Sequence, residues 1–428
     1  MSTEVPDRQK FALGKNPGRS REHNRRVVLD LLRSHGQLGR KQIADMTRLT
    51  TQAVANIIDG LLSENLLVDM GRLRSGRGQP PVQFAINPNG AITIGFEISV
   101  SHLVTTVLDL HGQIREQASV ALDDTGPAAL IPRIVAEVAD IRLRFPSALL
   151  GVGVVMPGPF EIEGLSGVGP TTLPGWAGID ATGLLASQIG VPVVIENDAN
   201  AAAVGESLFG AGQGLSDFCM IYFGGGIGLG MIHDSQPIRG AFGNAGEIGH
   251  IVVAPGGRPC ACGQSGCLER YASLDALRET LGETLGEAAS GDLAALLAAG
   301  HPALLDWVDD AAAHLAPVVT LLENILDPET VILGGELPDP VIDALIARLT
   351  LGTSVANRRN RAVPRVIRAH TGRRIAALGA AALPFFDSIV PKLDTGIGPS
   401  AAPRPTAPVT AEAPVTAEAP TQRIAAND

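Results

Sequence analysis

The spacing of apolar residues divides the chain before any motif is considered. From Ser20, the stretch REHNRRVVLDLLRSHG sets Val27, Val28, Leu31 and Leu32 on one face of a helix that Gly36 ends. In LGRKQIADMTRLTTQAVANIIDGLLSENLL, Ile43, Ala44, Leu49, Val54, Ile57, Ile58, Leu61 and Leu62 predict two more amphipathic helices, separated by a short turn over Thr47 to Thr50. The following segment, VDMGRLRSGRGQPPVQFAINPNG, alternates and is rich in glycine and arginine, as a two-stranded wing would be. Before Ser20, Pro6, Gly14, Pro17 and Gly18 break any period, so residues 1–19 read as a flexible arm.

From Ala91 the period changes. Three strands are predicted at 91–98, 101–110 and 112–120, then a helix over about 127–145 and two strands buried on both faces, GVGVVM and PVVIEN. FCMIYFGGG and GLGMIHD restart a similar series, with VILGG near 331 and helices through 303–325, 339–350 and 372–384. The repeated order predicts two related α/β lobes over 87–387. With 428 residues, a small head and a two-lobed body suit the limit on single-core growth. Beyond about Ser388 the chain turns to Pro, Ala and Thr, with APVTAE at 407–412 and again at 413–418, a composition that predicts a disordered tail over 388–428.

Charge sharpens this division. Residues 1–90 hold 14 Lys+Arg against 8 Asp+Glu, a balance of +6, and the remainder carries 19 against 36, a balance of −17. An anionic partner is therefore expected at the head alone. A helix that enters a major groove presents short polar side chains on its first turn, and Thr50, Thr51, Gln52, Ala53 and Asn56 supply them. Arg40, Lys41 and Arg48 could contact phosphates, and Arg72, Arg74 and Arg77 fall on the wing. Residues 20–86 thus read as a winged helix-turn-helix for double-stranded DNA. No apolar run approaches the roughly 20 residues of a membrane span, and the charged MSTEVPDRQK lacks a secretory apolar core, so a cytoplasmic protein with no membrane partner is expected.

Of four cysteines, Cys260, Cys262 and Cys267 fall within eight residues, and His250 precedes them. One imidazole and three thiolates are a full tetrahedral set for structural zinc, with no position left open for water.

GEIGH at 246–250, CACGQSGCLE at 260–269 and ENDANAAAVGE at 196–206 resemble the ROK family of repressors, open reading frames and sugar kinases. The head resembles the winged helix of the family's regulators, and the resemblance covers about residues 20–386. It implies an actin-like, ribonuclease H-like body of two lobes. It also implies that Asp198 matches the base of the kinases, that Asn197, Glu247, His250 and Glu269 match groups that hydrogen-bond a hexose, and that Pro174 to Trp176 match a loop closing over the sugar. Asp198 also stands where a helix N-cap belongs. Thr172 replaces an Asn that is frequent before this loop.

Such kinases carry a first phosphate turn similar to DIGGT; here it reads Glu97, Ile98, Ser99, Val100, Ser101, with both glycines replaced. The second turn, Gly224 to Gly230, keeps Gly225, Gly226 and Gly228, while Gly334 and Gly335 match positions near an adenosine. Glycines also serve plain tight turns. The expectation is a sugar-responsive regulator, a homodimer or homotetramer that takes a sugar or sugar phosphate, with ATP and Mg²⁺ not used. The alternative is an active hexose or N-acetylhexosamine kinase carrying a DNA-binding head.

Overall fold

The head begins with α1 (Ser20–His35), β1 (Leu38–Gly39), α2 (Arg40–Thr47), α3 (Thr51–Ser63), β2 (Leu67–Arg72) and β3 (Val82–Ile86). The structure, a computed structural model, describes residues 20–72, 81–158, 173–176, 179–241, 243–285, 292–356 and 361–391. The arm over 1–19, Arg74, Arg77, Thr172 and the tail from 392 onward lie outside them. Gly36, at φ +78°, ends α1, Arg48 at φ +57° ends α2, and the Thr50 hydroxyl caps α3 by accepting the Ala53 N–H at 3.2 Å. The strands pair antiparallel in the order β1-β3-β2. The strand β1 has no periodic signature because it is two residues long. Leu32, Ile43, Val54, Ile58, Leu61 and Phe84 bury the helices against this sheet.

The first lobe runs through β4 (Ala91–Ile98), β5 (His102–Asp109), β6 (Ile114–Ala121), α4 (Pro127–Arg144), β7 (Ala148–Val155), α5 (Ala181–Ile189), β8 (Val193–Glu196) and α6 (Asp198–Phe209). The second runs through β9 (Phe218–Phe223), β10 (Ile227–His233), β11 (Gln236–Pro237), a 3-10 turn (Ile248–His250), α7 (Glu269–Ala272), α8 (Leu274–Leu285) and α9 (Leu293–Ala298). It continues through α10 (Pro302–Leu326), β12 (Thr330–Gly335), α11 (Asp339–Arg348), β13 (Val366–Arg368) and α12 (Ile375–Ile389). Their sheets are ordered β6-β5-β4-β7-β8 and β11-β10-β9-β12-β13. In each, the first three strands form an antiparallel meander and the last two add in parallel. The two lobes share one topology, that of the two-lobed actin-like fold.

Between the sheets lie α6 and α12, whose closest contact is made by small residues, with Phe209 and Phe385 meeting edge to face at one end. A Cβ at Gly379 would stand 2.1 Å from the Ala201 carbonyl oxygen, and one at Gly205 3.4 Å from the Gly379 Cα. On the sheet side, a Cβ at Gly95 would meet the Ala381 nitrogen at 2.1 Å, and one at Gly153 the Ala380 oxygen at 1.9 Å. This last contact explains why α12 extends beyond the expected end at 384. Pro384 removes the N–H that would bond the Ala380 carbonyl, but Gly151 and Gly153 leave room for its ring and the helix continues to Ile389. The buried Glu206 of α6 accepts the N–H groups of His370 at 3.1 Å and Thr371 at 2.9 Å and the Thr371 hydroxyl at 2.6 Å, so the same helix anchors the approach to α12.

Because nothing in this seam can recede, Gly379→Ala should cost about 2 kcal/mol or more, in the range of core overpacking. Gly282→Ala, at a position in α8 with open space around it, should be neutral or stabilising by up to about 1 kcal/mol. Urea unfolding of the two variants checks this, and equal effects would refute the seam's role.

Candidate functional site

Where β8 ends and α6 begins, the Asn197 side chain accepts the Asn200 N–H at 2.7 Å, so Asn197 is the N-cap. Asp198 is the first helical residue, not the cap that its position in the sequence allowed. Its carboxylate accepts the Ala199 N–H at 2.8 Å. The turn between β9 and β10 walls one side of it: Cβ atoms at Gly224 and Gly228 would lie 3.7 and 4.0 Å from its oxygens. Gly158 faces both partners across the cleft, since a Cβ there would stand 3.7 Å from Glu247 Oε1 and 3.8 Å from Asn197 Cβ. Glu269, opening α7, accepts the Ile227 N–H at 3.3 Å and so ties that helix to β10. Trp176 is fixed by donating its indole N–H to the Thr125 carbonyl at 2.8 Å.

Asn197, Asp198, Glu247 and Glu269 thus gather at one cleft, joined by Glu97 from the degraded first turn and by Glu336, whose place the sequence did not reveal. Burial pushes Asp198 up to about 7, against the Ala199 N–H and helped by the charges of Glu336 and Glu247. Burial, then Glu336 and Asp198, push Glu97 up to about 8, against the Ala377 N–H directed at its carboxyl. Burial also raises Glu336 and Glu247. A carboxylate directly after the glycine pair that ends β12 was the available signal for Glu336. The outer acids of ENDANAAAVGE are structural: Glu196 pairs with Arg239 and accepts from Asn200 Nδ2, and Glu206 holds the loop before α12.

The loop after Glu247 folds through left-handed Gly263 and Gly266, with Gly263 N–H bonded to the Cys260 carbonyl and Gly266 N–H to that of Arg258. It collects His250, Cys260, Cys262 and Cys267, whose donor atoms all lie within 4.8 Å of one another. His250 Nδ1 is 3.6 Å from Cys260 Sγ, and Cys262 Sγ is 3.7 Å from Cys267 Sγ. Ligands at zinc's bond lengths stand about 3.6 Å apart for nitrogen and sulfur and about 3.8 Å for two sulfurs in a tetrahedron. The four residues can therefore hold a metal ion.

The hairpin after β4 and the glycine turn between β9 and β10 each make contacts within the chain. After β4, the Ser99 hydroxyl accepts the His102 N–H at 3.0 Å and donates to the His102 carbonyl at 3.1 Å, closing a tight hairpin. The carbonyls of Gly224 and Gly225 accept N–H groups of Leu274 and Asp275 at 3.2 Å, which seats that turn on α8. Gly226 and Gly228 lie in and just after it. Gly335, at φ +131°, and Gly334 allow close contact with Phe223 and Ala369.

In the head, Thr50, Thr51, Gln52 and Asn56 are exposed on the first turns of α3, with Lys41 and Arg48 exposed nearby, and Arg72 is exposed at the end of β2. Gln52 donates to the Asn56 side chain at 3.0 Å, which orders the two together. Arg40 is less available than expected. It pairs with Asp59 at 2.7 Å and lies over the Phe84 ring at 5.0 Å, because a half-buried guanidinium at the start of α2 finds an acid on α3 and an aromatic face on β3.

A family model described as the ROK family matches residues 93–385. The xylose repressor of Bacillus spizizenii is 28% identical over 317 residues, which cover 73% of this chain and 82% of that protein. A solved ROK family transcriptional regulator, described as a homolog of the E. coli MLC protein, covers 86% of this chain and 97% of its own with a TM-score of 0.70. At 21% identity this likeness is one of fold. A ROK family glucokinase from Streptomyces griseus, solved with glucose and AMPPNP, is 29% identical with a TM-score of 0.56, covering 68% of this chain and 98% of its own.

The raised carboxyls make a pH-dependent contribution to stability. For Asp198 the folded protein binds the proton more tightly than the unfolded chain, so the contribution is complete below pH 4 and is lost as pH rises through about 7. Asp198→Asn should therefore raise the thermal midpoint more at pH 8 than at pH 5. Melting curves of both proteins at the two pH values check this, and an equal or reversed gain would contradict it.

Proposed function

The chain belongs to the ROK family, and from that premise we propose that it is a sugar-responsive, DNA-binding transcription regulator, a repressor of carbohydrate-utilisation genes. Residues 20–86 act as a winged helix-turn-helix and residues 87–387 as a sensor derived from a sugar kinase. The observation that carries this reading is the joining, in one chain, of an exposed polar first turn on α3 to a cleft that gathers an amide and several carboxyls. The similarity to a protein named xylose repressor supports it.

Vicinal sugar hydroxyls both donate and accept, so Asn197, Asp198, Glu247, His250 and Glu269 suit a hexose or N-acetylhexosamine-type ligand. His250 turns Nδ1 toward Cys260, which leaves Nε2 for a hydroxyl. Zinc on His250, Cys260, Cys262 and Cys267 would supply a closed structural clamp, and the loop it fixes carries Glu247 and Glu269 at its two ends. Phosphoryl transfer requires backbone donors free to receive phosphate, and the Ser99 hairpin uses its own. ATP turnover is accordingly weak or absent.

The head is tied to the first lobe. Asn87 donates through Nδ2 to the Asn65 carbonyl at 2.8 Å, a Cβ at Gly90 would meet that same oxygen at 2.2 Å, and Arg33 reaches the Leu208 carbonyl at 3.5 Å. Sugar closing the two lobes would carry the head with the first lobe and change the spacing of two heads in a homodimer or homotetramer, and with it the fit to operator half-sites.

Operator fragments selected from random DNA, followed by fluorescence anisotropy over a salt series, test the reading. Asn56→Ala should cost about 1–3 kcal/mol on the selected site and little on unrelated DNA, whereas Arg72→Ala should weaken both and lower the salt slope by about one. Absence of DNA binding by the full-length protein would overturn the reading, as would sugar-dependent ATP turnover at ordinary kinase rates. Purified protein should carry one zinc per chain by elemental analysis. Cys262→Ser should lose it together with the sugar response; a variant that lacks zinc and still responds would break the link between metal and sensing.

A further inference from the structure

We propose that Gln52 and Asn56 form one reading unit on α3, in which Asn56 holds the Gln52 amide so that it recognises a single adenine in each operator half-site. The inference rests on the DNA-binding reading above and names the base that the head selects.

Val54, Ile58 and Leu61 turn one face of α3 into the core of the head, which leaves Gln52, Asn56 and Asp59 exposed on the other. Gln52 and Asn56 stand four residues apart, and Gln52 Nε2 donates to Asn56 Oδ1 at 3.0 Å. A glutamine amide has two N–H donors and one carbonyl oxygen. With one N–H given to Asn56, Gln52 keeps the other N–H and its Oε1. Adenine shows an acceptor, N7, beside a donor, N6–H, on its major-groove edge, so this remaining pair matches it in two parallel hydrogen bonds. Asn56, its oxygen occupied, offers N–H donors to an acceptor on a neighbouring base pair. An unattached glutamine would spread its amide over several rotamers and suit several bases; the bond to Asn56 removes that freedom before DNA arrives.

The rest of the helix argues against guanine, whose O6 and N7 are both acceptors and are read most often by a cation. Thr51–Ser63 contains no Lys or Arg. Its one acid, Asp59, is paired with Arg40 at 2.7 Å, and the same guanidinium lies over the Phe84 ring at 5.0 Å, so Arg40 is drawn onto the head. The Thr50 hydroxyl accepts the Ala53 N–H at 3.2 Å and serves as the cap. Thr51 and Ala53 add methyl groups, which suit the C5 methyl of thymine. The first two turns of α3 are therefore a neutral surface of amides and methyls, flanked by the exposed Lys41 and Arg48 for phosphates.

The test selects duplexes from random DNA with the full-length protein and then compares wild type and Gln52→Ala on them. At one adenine of each half-site, wild type should prefer A·T by about 5-fold to 150-fold, and Gln52→Ala should bind all four base pairs there within about threefold. Replacing that adenine by 7-deazaadenine, which lacks N7, or by unsubstituted purine, which lacks the N6 amine, should weaken wild-type binding by about tenfold each. Neither analogue should alter Gln52→Ala binding by as much, a comparison that cancels any effect on the duplex itself. Asn56→Ala should lower the adenine preference by about threefold or more, and adding it to Gln52→Ala should remove no further preference at that position, a non-additivity that independent surface residues would not show. A guanine at the position relaxed by Gln52→Ala, a Gln52→Ala that relaxes none, or equal losses of both proteins on the analogues overturns the proposal and leaves the DNA-binding reading intact. Recovery of no bound DNA overturns that reading and this proposal together.

Discussion

The close approach of α6 and α12 is the contact on which the body depends. Along that seam a Cβ at Gly379, Gly95 or Gly153 would meet backbone atoms at 1.9–2.1 Å, while Phe209 and Phe385 close its far end edge to face. Helices held this near to each other and to β4 and β7 have their ends fixed relative to those strands. The N-terminus of α6 therefore places Asp198, and that of α12 places Ala377, at the cleft where β4 delivers Glu97. On the opposite face, a Cβ at Gly230 of β10 would meet the Ala199 carbonyl at 2.2 Å, so the second lobe is fitted to the same helix.

Chemistry at the cleft follows from this rigidity. Carboxyls with access to water would separate or ionise, but Glu97, Asp198 and Glu336 are kept together in a poorly hydrated space and hold their protons to unusually high pH. Such groups can donate as well as accept hydrogen bonds, which suits hydroxyl ligands. The loop that gathers His250, Cys260, Cys262 and Cys267 adds a second constraint from outside the core. It places Glu247 ahead of His250 and Glu269 behind Cys267, so one cluster of four potential ligands lies between both approaches to the pocket.

Several features were legible in the chain because each depends on local order. Period and turn residues marked the three head helices, and the repeated run of strands and helices marked two lobes that prove to share one topology. Close spacing marked the cysteines, and His250 joined them because its separation from Cys260 is short. Where the signal was two residues long, as in β1, or where a proline usually ends a helix, as at Pro384, local rules fell short.

The amino-acid sequence alone therefore determined the three helices of the head, the two lobes of the body, the members of the His/Cys cluster and the polar first turn of α3. Only the tertiary structure decided which groups share a pocket. Asn197 caps α6 and leaves Asp198 to the cleft, Arg40 turns to Asp59 and Phe84, and Glu97 and Glu336, from strands more than 200 residues apart, meet beside Asp198. The reason is physical: capping, periodicity and ligand spacing act within a few residues, whereas burial and charge coupling depend on how closely the glycine and alanine seam lets distant strands approach.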